Sequence, residues 1–136
     1  MGDEAEHMFE EVWPHAWERY GFNRPQPSMK RWSLRVRYTP DYIDASGLIE
    51  CQGFGRDRLL KVKEEKARAL RQWAEDDRLR FFIWDRTLRR WTCVDWQVID
   101  TLSMTPYVEG VYHEGKPYVG LHFDQLAHLP WNDKQD

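Results

Sequence analysis

Two carboxylates nine positions apart, Asp41 and Glu50, are the residues of this chain best spaced to do chemistry. Asp41 closes the stretch Tyr38-Thr39-Pro40-Asp41 and opens a strand. Glu50 lies inside a second strand, Gly47-Leu48-Ile49-Glu50-Cys51-Gln52-Gly53. Between them Asp44-Ala45-Ser46-Gly47 is a turn-forming cluster. Strand side chains alternate faces, so Glu50 and Gln52 point one way and Ile49 and Cys51 the other, toward a core. Pairing the two strands brings Asp41 beside Glu50 at one end of a sheet. Carboxylates converging there suit a hard divalent cation such as Mg²⁺ or Mn²⁺.

The flanking pattern says which elements must carry this pair. Phe9, Val12, Trp13, Ala16, Trp17 and Tyr20 recur at helical spacing, which predicts a helix over 3–20. Pro14 should kink or divide it, and Gly21 is placed to end it. A loop with Pro25 and Pro27 follows over 23–28. Residues 30–38 alternate, with Trp32, Leu34, Val36 and Tyr38 on one face and Arg31, Arg35 and Arg37 on the other, which predicts a half-buried strand. After Gly53-Phe54-Gly55, residues 57–75 read as a long helix with Leu59, Leu60, Lys63, Ala67 and Leu70 on its inner stripe. Lys63 is the one cation in that stripe. It either snorkels to solvent or reaches back toward the carboxylates, with Lys61 and Lys66 on neighbouring faces.

Leu79 to Asp85 is a nearly continuous apolar run, expected at the centre of the sheet. Farther on, Tyr107–Tyr112 and Pro117–Phe123 flank His113-Glu114-Gly115-Lys116, a hairpin signal. Asp124 is placed to cap a last helix over 125–129. The order of helix, strands, helix and central strand predicts an α+β (α/β) fold, a mixed sheet flanked by helices with a C-terminal hairpin extension. One domain is expected over 1–136, with its core in about 5–100 and the hairpin and short helix in 104–131.

The net charge of −3 hides an uneven distribution. Residues 21–98 carry 17 Lys and Arg against 11 Asp and Glu, while both ends are acidic. A basic centre around the carboxylates is the footprint expected of phosphate binding, with Arg35, Arg37, Arg56 and Lys61 as contributors to DNA contact. The same charges would equally solvate strand and helix faces. Cys51 and Cys93 sit in apolar surroundings and read as reduced thiols, which points to the cytoplasm. His7, His15, His113, His122 and His128 have no ligand spacing, and no serine has a nucleophile motif around it. No apolar run approaches a membrane span.

Pro40-Asp41 followed by Glu50-Cys51-Gln52 resembles the signature of the PD-(D/E)xK nuclease superfamily, with Gln52 where that signature has Lys. The wider stretches Tyr38–Tyr42 and Gly47–Gly53 resemble endonuclease I of the short-tailed coliphages, a junction-resolving branch. That resemblance covers roughly 9–85. It implies a restriction-endonuclease-like core and a Mg²⁺-dependent, phage-encoded endonuclease that cuts branched or junction DNA in the host cytoplasm as a homodimer. It also implies metal ligands Asp41, Glu50 and the backbone carbonyl of Cys51, with Glu10 assisting from the first helix. Gln52 or a migrated lysine, Lys63 first, would then serve the attacking water. The family's equivalent of 93–101 is helical, so a short helix is expected there, although Thr92, Val94, Trp96 and Val98 favour a strand. The alternative from another class is a catalytically impaired relative with a structural or interaction role, virion-associated or DNA-binding.

Overall fold

The computed structural model describes residues 2–21 and 33–135. Its element order is α1 (Gly2–Val12), β1 (Trp17–Arg19), α2 (Leu34–Arg37), β2 (Tyr42–Asp44), β3 (Gly47–Gly53), β4 (Leu59–Lys63) and α3 (Glu64–Asp76). Then come β5 (Leu79–Asp85), β6 (Arg90–Asp95), α4 (Trp96–Leu102), β7 (Val108–Val111), β8 (Pro117–His122), α5 (Phe123–Leu126) and β9 (Asn132–Asp133). The expected α+β class holds. A mixed six-stranded sheet runs β1-β2-β3-β5-β6-β9, and β4-β8-β7 form a second, three-stranded sheet.

The β2–β3 hairpin is antiparallel, with Tyr42 opposite Ile49, and β3 runs parallel to β5. Because α3 supplies the crossover between β3 and β5, both faces of β3 are covered. One face packs Ile49 and Cys51 with Phe82 under Ala5 and Phe9 of α1. The other packs Leu48, Phe81 and Ile83 with Ala67 and Leu70 of α3. All seven residues of β5 are buried, as its apolar run requires of a central strand.

Several elements depart from the sequence expectation. The first helix stops at Val12, since Pro14 removes a donor and disfavours helical backbone at Trp13. The chain then turns into β1, which pairs with β2. Gly21 ends no helix; a Cβ there would lie 2.5 Å from the Pro40 carbonyl, so only glycine allows that approach. The predicted loop over 23–28 and residues 30–32 of the predicted strand lie outside the described residues. Ser33 to Tyr38 is no strand: the Ser33 hydroxyl accepts from the Val36 N–H and caps the short α2.

The expected helix over 57–75 divides in two. Leu60 and Val62 are buried while Leu59, Lys61 and Lys63 face outward, a two-residue period that makes β4 a strand before α3 begins at Glu64. The helix expected at 93–101 is likewise half strand: β6 runs to Asp95 and α4 follows. The C-terminal hairpin forms as expected. The last helix is capped by His122 instead of Asp124 and spans Phe123–Leu126.

Candidate active site

Asp41 sits just before β2, and its Oδ2 accepts the Cys51 N–H at 2.9 Å. That bond ties the end of β2 to the middle of β3 and sets Asp41 beside Glu50. Glu50 is 6 % exposed and points to the α3 side of the sheet. There Lys66 Nζ meets Glu50 Oε2 at 2.7 Å and donates to Gln52 Oε1 at 3.3 Å. The Gln52 amide nitrogen donates to the Lys61 carbonyl. Gln52 therefore spends both ends of its amide inside the protein, one on β4 and one on the lysine.

Glu6 of α1 closes the cluster from the opposite face of the sheet. Arg19 Nη1 donates to its Oε1 at 2.9 Å. Its carboxyl is within hydrogen-bonding reach of Asp41, as Asp41 is of Glu50. Glu6, Asp41, Glu50 and Lys66 thus follow one another in a chain of contacts. Burial, then the charge of Asp41, pushes Glu6 up to about 7. Burial and the charge of Glu50 also raise Asp41 well above the usual carboxylate range. Burial raises Glu50 too, although Lys66 opposes it. Burial pulls Lys66 down, but Glu50 and Asp41 more than reverse this and hold it protonated. The thiol of Cys51, next to them in the chain, is raised by burial and by the same acids, so it is an inert neighbour.

Beside the cluster opens a cleft of about 640 Å³ whose lining includes Gln52, Arg56, Lys61, Lys63, Lys66 and Tyr112. Among the described residues, four cations and the single acid Asp57 line it. Lys66 lines the cleft and pairs with Glu50, whereas Asp41 and Glu50 lie behind the lining.

Of the sequence candidates, Asp41, Glu50 and Gln52 come together, and Arg56 and Lys61 line the adjoining cleft. Glu10 does not join them. It lies one turn beyond Glu6 on the exposed side of α1, where Tyr42 Oη and Arg19 donate to it. Lys63 does not reach back either: it faces outward from β4 and pairs with Glu114 at 2.8 Å. Arg35 and Arg37 belong to α2, where Arg35 pairs with Asp76 and stacks over Trp73 and Arg37 lies 3.6 Å from Glu65. For Cys51 the contact made is through its N–H to Asp41. Glu6 and Lys66 fill the places expected of Glu10 and Lys63. The signal that could have found them is helical spacing: Glu6-x-x-Phe9 and Lys66-x-x-x-Leu70 each put the charged residue at the rim of a buried stripe.

No protein-family model matches the chain, and neither does any curated protein or solved structure. The nuclease resemblance accordingly rests on the motif residues alone.

Among the described residues no group of three or more His, Cys, Asp and Glu side chains is placed to hold a metal ion. Mg²⁺ does not need one, since it is commonly held by one or two carboxylates, with waters and a substrate phosphate supplying the rest. The donor set fits that case. Asp41 and Glu50 offer hard oxygens close together, and burial without enough counter-charge holds both carboxyls and that of Glu6 above their usual range.

Proposed function

We propose that this protein is a Mg²⁺- or Mn²⁺-dependent DNA endonuclease acting on branched or junction DNA. The observation carrying this reading is the buried Asp41–Glu50 pair with Lys66 against it, the same lysine lining a cation-rich cleft. Asp41 and Glu50 would hold the metal. A bound divalent ion supplies acidified water as nucleophile and neutralises charge gathering on the phosphate. Arg56 and Lys61 draw the DNA backbone into the cleft. Lys66, kept protonated by Glu50, stands where a cation can face the phosphate and donate a proton to the departing oxygen. Gln52 anchors Lys66 to β4 through its paired amide. The charge that the superfamily signature carries at position 52 is then carried by Lys66 on α3.

A phage-encoded, cytoplasmic homodimer is part of this reading, because a junction offers two cut sites related by a two-fold axis. No described helix is long and apolar enough to cross a membrane. One observation favours the alternative of an impaired nuclease-fold protein with a structural or DNA-binding role: Gln52 is held between the Lys61 carbonyl and Lys66, and its amide brings no charge to a water. Nicking of supercoiled plasmid in Mg²⁺, abolished by EDTA, is the outcome expected of the enzyme. Salt-sensitive DNA binding without nicking in Mg²⁺ or Mn²⁺ would leave the alternative standing.

A further inference from the structure

The three-stranded sheet has two unlike faces. Leu60, Val62 and Leu121 are packed into the core beneath it. The pairing registers put Leu59, Lys61 and Lys63 of β4, Tyr118, Gly120 and His122 of β8, and Val108 and Gly110 of β7 on the opposite face. That face is continuous with the cleft, which Leu59, Lys61 and Lys63 also line. Its aromatic rings come in two pairs. Tyr112 and Tyr118 lie 4.6 Å apart at one end, and Tyr107 and His122 lie 4.9 Å apart at the other. Tyr118 and His122 are four residues apart on one strand, so the pairs are about 13 Å apart along β8.

The glycines explain how the rings lie. A Cβ at Gly110 would fall 2.5 Å from Tyr118 Oη, so Tyr118 lies across the strand surface only because residue 110 has no side chain. Both lysines stand against the first ring pair, Lys63 opposite Tyr118 and Lys61 opposite Gly120, one step toward the second pair. Lys61 is 5.3 Å from the Tyr118 ring centroid and Lys63 is 5.4 Å from that of Tyr112. Their partners Asp57 and Glu114 are half exposed, in surface ion pairs that a phosphate can displace. Exposed rings with cations beside them at the mouth of a basic groove are what unpaired nucleotides bind, the bases on the rings and the phosphates on the lysines.

We propose that this sheet face is a stacking platform for a single strand of DNA, which it delivers through the cleft to Asp41 and Glu50. The inference rests on the nucleic-acid reading above and narrows its substrate to DNA that presents an unpaired stretch beside the cut. A branch point, flap or gap offers one; an uninterrupted duplex has every base stacked and paired.

The test is fluorescence anisotropy in EDTA with oligodeoxythymidine and with an abasic oligonucleotide of equal length and charge. Wild type is expected to bind oligodeoxythymidine at least about fivefold more tightly. Tyr112→Leu keeps the apolar bulk beside Tyr118 and should abolish that preference, while Tyr112→Trp keeps it; both should retain the wild-type salt slope and melting temperature. Equal affinity of wild type for the two oligonucleotides, or a preference that Tyr112→Leu leaves intact, would overturn the platform and leave the nucleic-acid reading in place. Failure to bind either oligonucleotide or a four-way junction at low salt would overturn both. If free thymidine monophosphate competes as well as the oligonucleotide at equal nucleotide concentration, the face is a mononucleotide site and the strand-delivery proposal is wrong.

Discussion

Asp41 and Asp44 lie at opposite ends of the three-residue strand β2, and their surroundings treat them in opposite ways. Asp44 is matched. Arg80 reaches both its oxygens, and Trp13 Nε1 and the Ser46 N–H also donate to it. Burial pushes Asp44 up, but the Arg80 hydrogen bond and its companions outweigh this and leave its carboxyl below the usual range. Asp41 is unmatched. It faces Glu50 and Glu6, and Lys66 with the Cys51 N–H is too little to offset burial. A carboxylate that serves the fold is given its counter-charge within the chain. One whose charge is left over is suited to a ligand that brings the counter-charge.

Substitutions separate the two ends. Asp41→Asn should lower cleavage about 10³-fold, since several kcal/mol of metal-borne stabilisation are lost. It should also raise the melting temperature at pH 7.5 or above, because a buried charge repelled by its neighbours is gone. Asp44→Ala should do the reverse. It leaves Arg80 buried without its partner and should cost about 3–5 kcal/mol in a urea melt, with cleavage by the folded fraction little changed. Equal destabilisation by both substitutions would erase the distinction.

Within the unmatched end, Lys66→Ala should reduce cleavage by about 10²–10⁴. Lys63→Ala should leave it near wild type, because Lys63 pairs outward with Glu114. Gln52→Lys placed on Lys66→Ala should recover part of the loss. Single-turnover rates at saturating DNA separate these effects from binding.

The pH dependence carries a sign. An acid whose folded-state pKa lies above its unfolded value is favoured in its protonated form by folding. Glu6, raised from 4.5 to about 7, therefore contributes stability below pH 4.5 that is lost as pH rises toward 7. The raised Asp41 and Glu50 act in the same direction. Without metal, the protein should lose on the order of 1–3 kcal/mol of stability between pH 5 and 8. Mg²⁺ should restore it increasingly as pH rises, because metal and protons compete for the same oxygens. A melting temperature rising from pH 5 to 8 in EDTA would contradict the unmatched state of the cluster. The smallest effect concerns DNA binding. Removing Arg56 or Lys61 should each flatten the log–log salt slope by about 0.9, whereas Arg35→Ala and Arg37→Ala should leave it unchanged.

The sequence was most legible where one interaction dominates. The β2–β3 hairpin, the buried β5 and the Asp41–Glu50 pair follow from alternation, turn residues and an apolar run. The failures came where two periods overlap. Leu59 to Leu70 satisfies a helical stripe on paper, but Leu60 and Val62 alternate, and pairing with β8 decides for a strand. That shift of boundary moved the inward-facing lysine from Lys63 to Lys66. Likewise Glu6, one turn before Glu10, is the residue of α1 facing Asp41, while Glu10 is taken by Tyr42 and Arg19. Arg35 and Arg37 look like a cationic strand face, yet the Ser33 cap and the Trp73 stack make them part of the packing of α2 on α3. Long-range partners such as Asp76, Glu65 and Glu114 leave no mark in local pattern, so the difference between a free cation and a spent one was invisible until the chain was folded.

The central claim, that Asp41 and Glu50 form a divalent-metal site, is tested most directly by the electron paramagnetic resonance signal of free Mn²⁺ titrated into the protein with four-way-junction DNA present. Saturable loss of that signal by wild type at pH 8, weakened at pH 6 and abolished by Asp41→Asn but not by Asp44→Asn, is the predicted result. Binding that Asp41→Asn leaves intact, or no binding at pH 8, would contradict the account.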